Sequence, residues 1–152
     1  MGSWGIDLNQ VMLQQLLYQG FDQILDWAES EVQRAAKHGR VLGASEIELA
    51  RRSGVQNPDR IRILESDQIR LPLVDDSLAG AAGLTLGYAI FARRDALGPR
   101  LISHEARHVH QFETCDCSLD QFLREYLRQI IKHGYGNAPW EIDARRFEQP
   151  PV

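Results

Sequence analysis

The sequence predicts an α+β fold, and three successive patterns predict it: apolar residues at helical spacing, then a strand-like alternation, then helical spacing again. In the first stretch Phe21, Ile24, Leu25, Ala28, Val32 and Ala35 recur at helical intervals, and Gly39 follows as a stop. Upstream, Leu8 to Leu17 reads as a shorter helix with Asp7 as its N-cap, and Gly20 marks the joint. Ser45 with Glu48 three residues later reads as a capping box for a helix ending near Gly54. A helical hairpin followed by a third helix is therefore expected.

The middle changes period. Ile61 and Ile63, then Ile69, Leu71 and Leu73, alternate with polar residues, and Pro72 demotes the second run to an edge or irregular strand. Thr85 to Arg93 is rich in strand formers and reads as a third strand. Gly87 inside it suggests that something approaches the backbone closely. Helices then return. Gly98-Pro99 opens a segment running to about Glu113, with Pro99 suited to a first turn. Ser118 and Gln121 form a second capping box. Leu119, Phe122, Leu123, Tyr126, Leu127, Ile130 and Ile131 follow at helical spacing until Gly134. Asn137-Ala138-Pro139 opens a last helix, which carries Glu141.

The 152 residues fit one domain, with a helical part over about 1–55 and a core over about 60–149. A net charge of −4 argues against a nucleic-acid or anionic-membrane partner, and the short arginine clusters sit among acids. No run approaches the ~18 apolar residues of a membrane span. The first residues have neither a basic nor an apolar signal region, so a cytoplasmic location is expected. Cys115 and Cys117 make no disulfide framework and read as two reduced thiols.

The chemistry concentrates in Ser103-His104-Glu105-Ala106-Arg107-His108. Two histidines four apart on a helix lie one above the other, ~6 Å along the axis, so both imidazoles can reach one ion. Glu105 is one position along: too far round to be a natural ligand, near enough to touch a water on that ion. This is the H-E-x-x-H arrangement of zinc hydrolases, and Zn²⁺ is the expected cofactor. His110 falls on the far side of the helix and reads as a structural or outer-layer histidine. Gln111 and Thr114 stand where a metzincin would need Gly and His, which excludes that class. Glu113 is too close in sequence to fold back, and Glu125 reads as solvated. Glu141, 33 residues after His108 with one complete helix between, is the preferred third ligand, with His133 as the alternative. Three protein ligands leave a fourth position for water. Glu105 is then the general base. Tyr135 is the candidate oxyanion donor, with His110 and Arg107 behind it, and a packed loop aromatic is the equal alternative for Tyr135.

Thr85-Leu86-Gly87-Tyr88-Ala89-Ile90, His104-Glu105-x-x-His108-Val109-x-Gln111 and Gly134-Tyr135-Gly136-Asn137-Ala138-Pro139-x-Glu141-x-x-Ala144 together resemble small bacterial gluzincin-like domains of the extracellular-contraction-system core type. They are also similar to the compact minigluzincin peptidases. The likeness covers about the last 70 residues. It implies a zincin-like core with a small mixed sheet, an active-site helix and a C-terminal glutamate helix. It further implies His104, His108 and Glu141 as metal ligands and Glu105 as base in a metallopeptidase. The strand from Thr85 to Phe91 would line the cleft and pair with an extended peptide, which makes Gly87 and Tyr88 candidate substrate contacts. One position departs from the pattern. Where many gluzincins carry Asp four residues after the ligand Glu, this chain has Arg145; Asp143 is expected on the opposite side, and Glu148 is the candidate substitute behind the ligand histidines. The alternative to a peptidase is a non-catalytic or self-inhibited zinc-binding module that acts as a scaffold or regulatory partner. Pro150-Pro151-Val152 is a candidate plug for such a cleft, although a frayed terminus fits it better.

Overall fold

The computed structural model describes residues 8–66 and 81–150, with side chains from residue 19 onward. The elements run α1 (Leu8–His38), α2 (Ala44–Arg52), β1 (Arg62–Ser66), β2 (Gly83–Leu86), β3 (Ala89–Arg93), α3 (Pro99–Thr114), α4 (Leu119–His133) and α5 (Pro139–Arg146), with short 3₁₀ turns before β1 and after β3. The fold is thus α+β, with a small mixed sheet. β3 is central, parallel to β1 and antiparallel to β2.

The strand alternation sorts side chains to two faces. Ala89 and Phe91 join Phe21, Ala28, Phe112 and Phe122 in a cluster under α1 and α4. Ile63 and Ile90 point the other way, into a cluster with Ala50, Ile102, Ala106 and Val109 beneath α2 and α3. α3 therefore lies across the sheet with its apolar stripe buried, and its remaining faces are left for α4 and α5.

Three expectations need correction. The joint at Gly20 does not form, since α1 is one helix of 31 residues, and no hairpin precedes α2. A glycine inside a helix costs ~1 kcal/mol. Burying Phe21, the next residue, and Ile24, one turn on, at ~1.5–3 kcal/mol each, outweighs that. The capping box at Ser45 and Glu48 is displaced by two residues. Gly43 is the N-cap of α2, and its N–H donates to Glu46 at 2.8 Å. Arg40 holds the Glu46 carboxylate in place through two bonds of 2.8 and 2.9 Å.

The single strand from Thr85 to Arg93 is a hairpin. Gly87 sits at φ +65° in a two-residue turn with Tyr88 at negative φ, a type II′ pattern whose twist matches the flanking strands. A Cβ on Gly87 would lie 3.4 Å from the Phe112 ring. The close approach foreseen at this glycine is therefore internal packing. The run Ile69 to Leu73 lies outside the described residues.

The later helices match expectation. Pro99 opens α3, the Ser118 hydroxyl accepts the Gln121 N–H at 3.2 Å to open α4, and Gly134 at φ +76° ends it. Among the described residues no helix is long and apolar enough to cross a membrane.

Candidate metal centre

His104 and His108 project from one face of α3 with ring centroids 5.0 Å apart. α4 leads away from α3, and α5 returns alongside it, which brings Glu141 over both rings. Its Oε1 is 3.0 Å from His104 Nε2, and its Oε2 is 2.9 Å from His108 Nε2. One ligand atom from each of the three lies within 4.8 Å of the others, so the group could hold a metal ion. Two imidazoles and a carboxylate suit a divalent ion of borderline softness. His133, the alternative ligand, is exposed at the end of α4 and outside the group.

A carboxylate only 1% exposed needs strong compensation. Burial works to raise the pKa of Glu141, but hydrogen bonds from His104, His108 and Tyr126 reverse this and hold it well below the usual carboxylate range. Burial likewise works to lower His108. Pairing with Glu141 and the charge of Glu105 overcome it, so that in the metal-free chain the imidazole is pushed up to about 9. A metal entering this site must displace that proton.

The support behind the ligands differs from expectation. His108 Nδ1 is 2.7 Å from Gln111 Oε1, while Gln111 Nε2 donates to the Trp140 carbonyl at 3.0 Å and to Asp143 at 3.1 Å. Both of those partners can only accept, which fixes the Gln111 amide orientation and puts a hydrogen on His108 Nδ1. Nε2 is therefore the atom presented to a metal. Asp143 does not point away from the site: it sits against α3, takes the Arg107 guanidinium at 2.8 Å, and backs Gln111. Glu148 is on the expected side, its Oε2 3.6 Å from His104 Nδ1. Arg145 donates to the Gly136 carbonyl and ties down the loop before α5.

Glu105 is buried beside the group, its Oε2 3.9 Å from His104 Nε2 and its Oε1 3.1 Å from the Thr85 hydroxyl on β2. Burial raises its pKa, against the pull of the two histidines. A Cβ at Gly83 would come within 3.1 Å of Glu105 Cγ, so β2 lies directly over this carboxylate. Tyr135 is 46% exposed on the loop between α4 and α5. Burial around its hydroxyl, and then the charges of Glu141 and Glu105, push its pKa up.

Several expected participants stand elsewhere. Arg107 donates to the Ser53 carbonyl at 3.0 Å and lies 3.8 Å over the Phe147 ring, while His110 Nδ1 meets the Gly54 carbonyl at 3.0 Å. Arg107 thus links the end of α2 to Asp143 and Phe147, and His110 faces the end of α2 rather than the ligand group, which removes it from the outer layer. Tyr88 packs edge-on against Phe112 and donates to Glu113 at 2.8 Å, one helical turn beyond His108. Gly83 and Thr85, rather than Gly87 and Tyr88, are the strand residues against Glu105. Cys115 and Cys117 are free and outside the metal-ligating group. Pro150 is exposed, and Pro151 and Val152 lie outside the described residues.

Sequence reasoning misses Gln111, Tyr126, Asp143 and Thr85. Gln111, three residues after His108 on the same helix, was open to discovery by spacing. The other three reach the site only through tertiary folding. Next to His108 an apolar cavity of ≈ 30 Å³ opens between α1, β2 and α4, walled by Ile24, Leu84, Leu86, Leu123 and Leu127. No family model matches the chain, and no curated protein or solved structure compared with it is similar.

Proposed function

We propose that this chain is a zinc-dependent peptidase of the gluzincin type. The observation that carries the reading is the division of labour on α3. One helix contributes two imidazoles to a shared point with Glu141, together with a buried carboxylate, Glu105, that stands beside the group without belonging to it. A purely structural metal site has no use for that additional carboxylate.

His104 and His108, through Nε2, and Glu141 would hold the ion. A zinc ion held there would supply Lewis-acid charge, polarising a scissile carbonyl and making a nearby water more acidic. Glu105 takes the proton from the attacking water and returns it to the leaving amine nitrogen. Its raised pKa suits both halves of that transfer, since a strongly acidic carboxylate is a poor base. Thr85 holds the base still. Tyr135, on the open side, donates its hydroxyl to the carbonyl oxygen as charge develops. An extended peptide would pair with β2, an edge strand of the sheet whose Gly83 and Thr85 pack against Glu105.

The test is metal analysis of the purified chain followed by digestion of a broad peptide library, with Glu105→Gln as the comparison. The expected result is equal zinc content in both proteins and cleavage that falls by ~10²-fold or more in the variant. A zinc-loaded wild type that cleaves nothing, or a variant that cleaves as well, overturns the peptidase reading. The first outcome favours a zinc-binding module instead.

A further inference from the structure

We propose that Tyr126 is a positioning residue that restricts Glu141 to a single metal-binding oxygen and so keeps a coordination position open. The inference rests on reading His104, His108 and Glu141 as a metal centre and deepens it.

Tyr126 lies on α4, an element that contributes no ligand. Its ring is stacked on Phe122 at 6.1 Å and 19°, and meets the His108 ring edge-on at 5.8 Å and 87°. Phe122 is in turn stacked on Trp140 at 5.4 Å, next to Glu141 in sequence. Ring contacts on both sides fix the direction of the phenol. Its hydroxyl donates to Glu141 Oε2 at 2.7 Å.

In the metal-free chain three donors share the carboxylate: His104 on Oε1, and His108 and Tyr126 on Oε2. A metal that takes the imidazole nitrogens removes both histidine bonds. The Tyr126 bond remains, because a phenol, with an ordinary pKa of ~10, keeps its proton at neutral pH and donates to the carboxylate. The two oxygens then cease to be equivalent. Oε2 has part of its electron density committed to a hydrogen bond, and Oε1 has none committed to Tyr126. Oε1 becomes the stronger ligand, and turning the carboxylate to offer both oxygens costs the Tyr126 bond in a buried setting. Tyr135 also interacts with Glu141, but from the exposed loop.

The difference has functional weight. A carboxylate that offers one oxygen leaves a fourth position for water or substrate, whereas one that offers two fills it. The hydroxyl on α4 therefore decides whether the same three ligands make an open site or a closed one.

Cobalt(II) replacement tests this, since its visible absorption weakens as coordination number rises. The full chain and its Tyr126→Phe variant are loaded with one cobalt each and titrated with azide, a small exogenous ligand. Phenylalanine keeps the ring stack, so the fold is retained. The expected wild-type spectrum is that of a four-coordinate ion and changes with azide. The variant is expected to absorb more weakly and to need at least ~10-fold more azide for the same change. Phe122→Leu, which loosens the stack and keeps the hydroxyl, is expected to shift the spectrum and the azide titration less than Tyr126→Phe does. Identical spectra and azide titrations for wild type and Tyr126→Phe overturn the role of Tyr126 and leave the metal centre standing. Loss of cobalt from the variant, or an equal shift in Phe122→Leu, assigns the effect to packing and also overturns it. A wild type that takes up no cobalt overturns the metal centre itself.

Discussion

His108 and His104 stand one turn apart on α3 and present the same ring nitrogen to Glu141, yet their surroundings differ. The His108 side chain is 5% exposed, and its outer nitrogen enters a chain of hydrogen bonds through Gln111 to Asp143, Arg107 and the Trp140 carbonyl. The His104 side chain is 13% exposed, and among the described residues its outer nitrogen faces Glu148, at 3.6 Å, on the segment that follows α5. One imidazole is built into the join between two helices, and the other is held at the rim by a flanking carboxylate. The locked ligand fixes where an ion sits, and the rim ligand is the side from which solvent reaches it.

The largest break comes from the residue that links the two sides. Glu141→Ala removes the atoms facing both imidazoles. Metal retention against a competing chelator should then fall by more than the ~10–100-fold typical of outer partners. His133→Ala should leave it unchanged, and the reverse pattern would move the third ligand to α4.

The asymmetry itself is tested by cutting each support alone. Gln111→Leu strands the buried His108 N–H and takes one donor each from the Trp140 carbonyl and Asp143, so metal affinity should drop towards the ~100-fold end of that range. The metal-free chain should also lose ~1–3 kcal/mol in urea unfolding. Glu148→Gln acts on the long, partly solvated contact and should cost nearer ~10-fold in affinity, with little change in unfolding. Equal losses for the two variants would erase the distinction between locked and rim ligands.

The smallest effect is a slope. In the metal-free chain burial works to lower His108, but Glu141 on α5 and Glu105 and Gln111 on α3 outweigh it and raise the imidazole from 6.5 to about 9. A folded pKa above the unfolded one gives stability that is complete below pH 6.5 and is lost as pH rises through about 9. Glu141, with its lowered pKa, gives the opposite dependence: its stabilisation is present above pH 4.5 and lost in acid. Melting temperatures of the metal-free chain should therefore decline between pH 6.5 and 9. The decline should be shallower in Gln111→Leu, because Gln111 helps to raise the His108 pKa. A flat profile in the wild type would show that His108 is not charged in the fold.

Much of the second half of the molecule is readable from local signals. Pro99, Ser118, Gly134 and Pro139 punctuate α3, α4 and α5 close to where the chain turns, and four-residue spacing alone pairs His104 with His108. Glu141 is reachable because a complete helix between two others brings the third back beside the first. Where packing competes with a local preference, the reading fails. Gly20 is a breaker overruled by the burial of Phe21 and Ile24. Gly87 is read as a strand glycine because every residue around it favours strands; only its positive φ, set by the fold, shows a turn. Helical phase puts Asp143 on the wrong side because Arg107, on another helix, decides what that carboxylate meets. Tyr126 fits its apolar stripe so well that its hydroxyl leaves no mark in the pattern.

The turn at Gly87 and Tyr88 and the stretch from Gly134 to Gly136 differ in room. A side chain at Gly87 would meet the Phe112 ring, whereas the Cβ positions of Gly134 and Gly136 have nothing within 4 Å. Inserted residues are tolerated where the backbone is not packed. For an engineer, the hairpin is a fixed jaw, since a residue replacing Gly87 would have to adopt a positive φ beside the Phe112 ring. The stretch from Gly134 to Gly136 is the replaceable one: grafts that keep the Gly136 carbonyl bond to Arg145 would alter what stands beside Tyr135 while the sheet, α3 and Glu105 keep their places.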